Sequence, residues 1–437
     1  MAKLNSQGFE IHYESPPFHF FGYYDRSPFN SSCTKVLAHR TTFDGRAIRE
    51  DDQAEIGYFD ITQNWEWHSL GYTRAFNWQQ GAMLQWIGPD FDTRIAWNDC
   101  IDGNLVSIVA DLGGERNVHP FPITQALPDG IRAISVNYDR HAFCRAYHYE
   151  CSRKLEWNRP LTPGDGIYLR DWGRQTSRCI VETSRLAAMV NVSSDTPHWL
   201  DHPILDPSGT HIAFFHRFGY GENFHTNLCH IGIDGSGLQV FKTSKQFTHT
   251  AWKDSRRIIA WGKSAGLIQT MAVKGYNFLP WLRRTVGPVW RFARDQLLSA
   301  SGCSKESLWG DGYCLCDTFT GRVEALETAG IRCDGHPTVA HNGTWLLCDS
   351  YPDKDGLQHL HLIDLERPKA YVLASFAAFT RAQESWRCDL HPRLSRDDTL
   401  ICLDSAHRGE RRLYVGQIQW KELLGCHNGA TPDQKVK

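Results

Sequence analysis

The chain has 437 residues, 41% hydrophobic and 22% charged, an ordinary soluble globular composition with length to spare for a large core. Lys and Arg number 47 against 49 Asp and Glu, so the formal charge of −2 provides no global field for nucleic acid. Residues 1–30 hold no apolar run of seven behind a basic start, 18 apolar residues never run together, and the 14 cysteines are scattered without paired C-x-x-C motifs. A reduced, cytoplasmic chain without signal peptide or spanning helix is expected.

Sixteen Trp and 36 Gly, with few long helical patterns, point to many short strands joined by turns. In chain order, the alternating Phe9-Glu-Ile-His-Tyr13 comes first. A short apolar strand with a polar residue near its end then recurs as Ile56–Asp60, Val106–Asp111, Ile167–Asp171, Leu228–Asp234, Tyr313–Asp317, Leu360–Asp364 and Leu413–Gln417. The steps between terminal positions are 51, 60, 63, 83, 47 and 53. Seven copies at that period predict an all-β, seven-bladed β-propeller with four-stranded antiparallel blades. The clearest copies open on His202-Pro203, His336-Pro337 and His391-Pro392.

One propeller is expected over 1–420, followed by a polar tail at 421–437. Phe9–Tyr13 would complete the seventh blade and remove the open edges of the ring. The step of 83 contains residues 267–300, which read as a short helical insertion in the fifth blade, with Trp281, Leu282 and Trp290 beside interleaved Arg283, Arg284, Arg291 and Arg294. Gly287-Pro288 should break it in two. Packing on its own domain is favoured over lying on a membrane surface.

In a meander blade the start of the first strand and the end of the second share one face of the disc. His202, His249, His336 and His391 stand at first-strand starts of four consecutive blades, with Asp25 and Gln80 at comparable points of the first two. Several imidazoles and an oxygen donor around one axis suit a divalent transition metal. The plain alternative is that His-Pro is a strand-opening turn. At second-strand ends stand His39-Arg40, Asp139-Arg140, His216-Arg217 and His407-Arg408, a cationic crown whose planar forks suit carboxylates, sulfates or phosphates. The aromatic Tyr23, Tyr24, Trp78, Tyr138, Phe218, Tyr220 and Tyr351 in the same loops offer apolar faces to sugar rings.

The His-Pro openings and the turns Asp206-Pro-Ser-Gly209 and Asp234-Gly235-Ser236 resemble those of TolB-like propellers. Within that group the chain looks most like the oligogalacturonate lyase family of polysaccharide lyases, well over 200–418 and faintly over 20–175. The resemblance implies a cytoplasmic protein that holds manganese, with zinc or calcium as alternatives, and cleaves uronate-containing acidic glycans by β-elimination. It implies metal positions at His202, His249, His336 and His391, with Gln80 or Asp25 as a further ligand. That family has two ligand histidines one residue apart after a glutamine; here Asp389 or Arg393 takes the place beside His391. Arg217, with Arg40 or Arg408, would neutralise the uronate carboxylate, and His216 or Tyr138 would remove the C5 proton. A propeller that binds an acidic glycan or a protein partner without catalysis is the competing expectation.

Overall fold

The computed structural model describes residues 4–6, 8–151, 154–221, 223–241, 246–263, 311–367, 369–378 and 385–424. Seven antiparallel sheets follow one another along the chain, over 19–73, 85–119, 125–182, 198–241, 250–325, 338–377 and 393–418. Strand order follows chain order in the first five sheets, and in the last two except for one amino-terminal strand added at the edge, so each is a meander blade of a seven-bladed β-propeller. The expected insertion at 267–300 and most of the expected tail lie outside the described residues. No helix among the described residues is long and apolar enough to cross a membrane.

The repeat read from the sequence has a local cause. The aspartates at 60, 111, 171, 234, 317 and 364 each fold the turn after a third strand. Their Oδ1 atoms accept from the backbone N–H of Thr62, Glu115, Arg174, Ser236, Phe319 and Glu366, at 2.9, 2.9, 2.9, 2.9, 3.0 and 2.9 Å. A short carboxylate side chain holding its own backbone two to four residues on is a turn former by chemistry, whatever the rest of the fold does.

The ring closes as the sequence predicts. Phe9–Glu14 pairs antiparallel with Arg412–Ile418 and becomes the outer strand of the seventh blade, while Leu4–Ser6 adds a fifth strand to the sixth. Core clusters run across blades. One joins Cys402 and Val415 of the seventh to Phe20 and Phe59 of the first and Trp97 of the second, all fully buried or nearly so. Each such aromatic stabilises the fold by about 1.5–3 kcal/mol, and no single blade supplies both sides of the contact. Cys229, Cys314, Cys316, Cys348 and Cys402 are free and buried on strands, as small apolar core residues.

Candidate functional site

The floor of the central channel comes from the segment after the first strand of the first blade. Asp404 of the seventh blade accepts from the N–H groups of Phe21 and Gly22, at 3.0 Å each, and from Arg393 Nη2 at 2.8 Å. Arg393 also donates to the Tyr23 carbonyl at 3.1 Å. Both charges are fully buried, so this pair locks the segment. It places Tyr23 against His202 (ring centroids 5.1 Å apart) and Tyr24 against His336 (5.2 Å). The Tyr24 hydroxyl is fixed by the backbone of Thr250.

The four sequence-predicted histidines do converge on one cavity of about 560 Å³. His336 lies 4.4 Å from His249 and 4.1 Å from His391 between ring centroids. Two have a carboxylate hydrogen-bonded at Nδ1, Asp334 for His249 and Asp349 for His336, each at 2.9 Å, whereas Asp201 accepts from the backbone N–H of His202 at 2.8 Å. A carboxylate at Nδ1 fixes the ring and leaves Nε2 as the working nitrogen. Asp349 also accepts from the backbone N–H of His336 (2.7 Å) and His391 (2.9 Å), tying the sixth and seventh blades. A Cβ at Gly335 would collide with the Asp349 carbonyl, so only glycine lets this turn lie so close.

His202 and His391 have φ of +49° and +43°. In a non-glycine residue that conformation costs on the order of 1–3 kcal/mol and persists where its surroundings enforce it. His202 does not open its strand as expected; it sits inside His198–Leu205, at a bulge between Asp201 and Ile204. Burial holds His202 and His391 well below the usual imidazole pKa, so both rings are neutral. Burial acts the same way on His336, but Asp349 outweighs it and holds that ring above its usual value.

The tightest group of potential ligands is His336, Asp389 and His391, whose donor atoms lie within 4.8 Å of one another, all buried. Asp389 Oδ2 accepts from Arg387 Nε at 2.8 Å, whereas Oδ1 is buried without a partner. An unpartnered carboxylate oxygen beside two imidazoles fits a divalent cation. His202 and His249 line the cavity outside this group.

The cavity has a second charged cluster, built on Arg145 and Arg217. Asp201, fully buried, pairs with Arg145 Nη1 at 3.0 Å and Arg217 Nη1 at 3.1 Å. Burial alone would raise the Asp201 pKa, but Arg145 and Arg217 hold it below the usual carboxylate range. Arg217 is sandwiched between Phe215 and Phe224, 5.2 Å from each ring.

The other predicted residues part company with the cavity. His216 turns to His198, ring nitrogen to ring nitrogen at 3.0 Å; it does not line the cavity, and burial pushes its pKa down to about 3. Tyr138 opens a short helix, Tyr138–Cys144, stacks on Tyr149, bonds Thr124 and Ile123 and does not line the cavity. Arg40 is ion-paired with Glu55, and Arg408 with Glu14 at 3.0 Å; both are exposed and outside the cavity. Arg140 is buried against the carbonyls of Trp157, Pro160 and His198. The expected crown therefore reduces to Arg217. Gln80 does line the cavity, but its Oε1 accepts from Arg145 at 3.2 Å, and Asp25 is held by Arg26 through two bonds of 2.7 Å.

Arg145, Arg387 and Asp334 escaped sequence reading as site residues. Arg145 comes from the segment after Tyr138–Cys144, which docks on the fourth blade through His141 Nε2 and the Leu200 carbonyl, 3.0 Å apart. Only Asp389, flagged beside His391, carried a signal.

No family model matches the sequence, and no curated protein sequence matches it. Solved structures do match. An oligogalacturonate lyase in complex with manganese is 15% identical, with 97% of this chain and 99% of that one covered at a TM-score of 0.60. Oligogalacturonate lyase from Vibrio parahaemolyticus is 13% identical, with 95% and 98% covered and a TM-score of 0.58. TolB from Acinetobacter baumannii is 12% identical over 88% and 81%, with a TM-score of 0.38. At these identities the two lyases share with this chain the seven-bladed fold over nearly its whole length.

Proposed function

We propose that the protein is a cation-dependent lyase that cleaves uronate-containing oligosaccharides by β-elimination. One observation carries the reading: Arg217, His249, Asp334, His336 and His391 line one cavity, and Asp389 lies beside the last two histidines. The shared fold with two oligogalacturonate lyases supports it. The twelve free cysteines among the described residues support the cytoplasm as its place.

The roles differ from those expected from the sequence alone. His249, not His216 or Tyr138, is the base: Asp334 takes its Nδ1–H, so Nε2 is an acceptor facing the cavity. Arg217, with Arg145 beside it, neutralises the uronate carboxylate and makes the C5 proton acidic. His249 Nε2 takes that proton, C4=C5 forms, the C4–O4 bond breaks with its electron pair on O4, and O4 collects a proton from water. His336, Asp389 and His391 would hold the cation, manganese being the first candidate, which supplies Lewis-acid stabilisation of negative charge on the substrate.

The charges agree with an acidic ligand. The cavity lining carries three arginines (145, 217, 387) and one aspartate, Asp334, while Asp201, Asp349 and Asp389 pair with lining residues from behind it. The test is incubation of manganese-loaded protein with a panel of uronate oligomers, read by the ultraviolet absorbance of unsaturated uronate. Absorbance that appears with wild type and vanishes with His249→Ala is expected. Silence across the panel, with glycan binding retained and lost in Arg217→Ala, would replace the lyase with a glycan-binding propeller.

A further inference from the structure

We propose that Arg387 is the positioning residue of the cation site, holding Asp389 as a one-oxygen ligand and coupling cation binding to the loop that walls the cavity. The proposal rests on the cation site described above, not on turnover.

Arg387 and Asp389 are separated by one residue and both are largely buried. The guanidinium commits one carboxylate oxygen, Oδ2, through Nε, and the other oxygen is left buried and bare. A buried acceptor without a partner costs about 1–3 kcal/mol, a cost that a cation at Oδ1 would remove. The donor set becomes two imidazoles and one carboxylate oxygen, which leaves positions on the ion open to oxygen atoms of a ligand.

The far side of the same guanidinium belongs to a different part of the ring. Arg387 lies between Tyr147 and Tyr351, with its carbon 5.1 and 5.4 Å from their centroids, and Nη1 donates to the Tyr147 hydroxyl. Tyr147 sits two residues from Arg145 on the segment that forms one wall of the cavity. That segment is anchored to the second blade through Asn98 Nδ2 and the Tyr149 hydroxyl, 3.1 Å apart. One planar fork thus touches the ligand carboxylate, the wall and the sixth-blade Tyr351. A cation that favours this orientation of Asp389 favours the fork that holds Tyr147, and by reciprocity an ordered wall tightens the cation.

Mn²⁺ titration calorimetry on the full chain tests this, with Arg387→Ala, Arg387→Lys and Tyr147→Phe beside wild type. Expected are one Mn²⁺ per wild-type chain, an affinity about 10–100-fold weaker in Arg387→Ala, and an intermediate value in Arg387→Lys, which keeps the charge but not the fork. Hydrogen exchange over 143–151 should slow on Mn²⁺ addition in wild type and not in Arg387→Ala. Equal Mn²⁺ affinity in wild type and Arg387→Ala would overturn the proposal while the cation site stands; wild type that binds no Mn²⁺ would remove both. If Arg387→Ala does not fold, Arg387→Lys and Tyr147→Phe decide: unchanged affinity in both overturns the proposal, and a loss in both supports it.

Discussion

His249 Nδ1 lies 2.9 Å from Asp334 Oδ1, and the same carboxylate accepts from Thr248 Oγ1 at 2.9 and 3.0 Å. Two donors on one carboxylate leave the imidazole a single orientation and tautomer. Asp334→Asn keeps the shape but loses the acceptor that fixes the tautomer. It is expected to lower kcat by about 10²–10⁴-fold with KM little changed. His249→Ala should lose as much, and the double variant scarcely more, because the pair acts as one unit. Steady-state rates of unsaturated uronate formation check all three.

Asp201, fully buried, pairs with both Arg145 and Arg217. Asp201→Ala leaves two buried guanidiniums facing each other and should destabilise the fold by about 3–5 kcal/mol. Denaturant unfolding measures this. A loss below about 1 kcal/mol would show that water reaches both guanidiniums.

Acid should unfold the protein through buried neutral histidines. His39 accepts the Ala82 N–H at Nε2, 3.0 Å away, and burial pushes its pKa down from 6.5 to about 4. A depressed folded pKa means that the unfolded chain binds the proton first, so stability is full above pH 6.5 and lost as pH falls towards 4. At 1.36 kcal/mol per unit, His39 alone contributes about 3 kcal/mol over that window. His141 and His361, both pushed down to about 4 by burial, add in the same direction. Melting temperature against pH should drop steeply between 6.5 and 4, and His39→Gln, whose amide oxygen can still accept from Ala82, should flatten the drop.

Removal of residues 1–14 deletes the partner of Arg412–Ile418. An unpaired edge strand in an apolar setting is an aggregation template. The truncated chain is expected to elute as soluble aggregate on size exclusion, and Phe9–Glu14 supplied as a synthetic peptide should reverse part of it.

Much of the ring was legible because its signals are local. An aspartate that folds its own turn carries the same chemistry in six of the seven blades, so Asp60 through Asp364 marked their third strands to within two residues. The histidines were legible for the same reason, since each follows or lies within a short segment feeding a first strand. The arginines were not. Arg40 and Arg217 occupy similar sequence contexts, yet Arg40 pairs at the surface with Glu55 on the third strand of its blade and Arg217 with buried Asp201 on the first strand of its own, a difference set by where each blade carries a carboxylate. Arg145 and Arg387 lie on connections whose course depends on docking against other blades, through His141 and the Leu200 carbonyl for one and Tyr147 for the other. No local pattern encodes such a course.

The closure of the ring also sets a timetable. Ser15 and Leu413, hydrogen-bonded across the seventh blade, are 398 residues apart. At 5–20 residues per second, the strand Phe9–Glu14 emerges about 20–80 s before its partner is made. Through that interval the chain carries an exposed strand and no cation site, since Asp389 and His391 belong to the last blade synthesised. Holding the nascent amino-terminal strand apart from other chains is therefore a task for the cell's chaperones before it becomes a property of the protein.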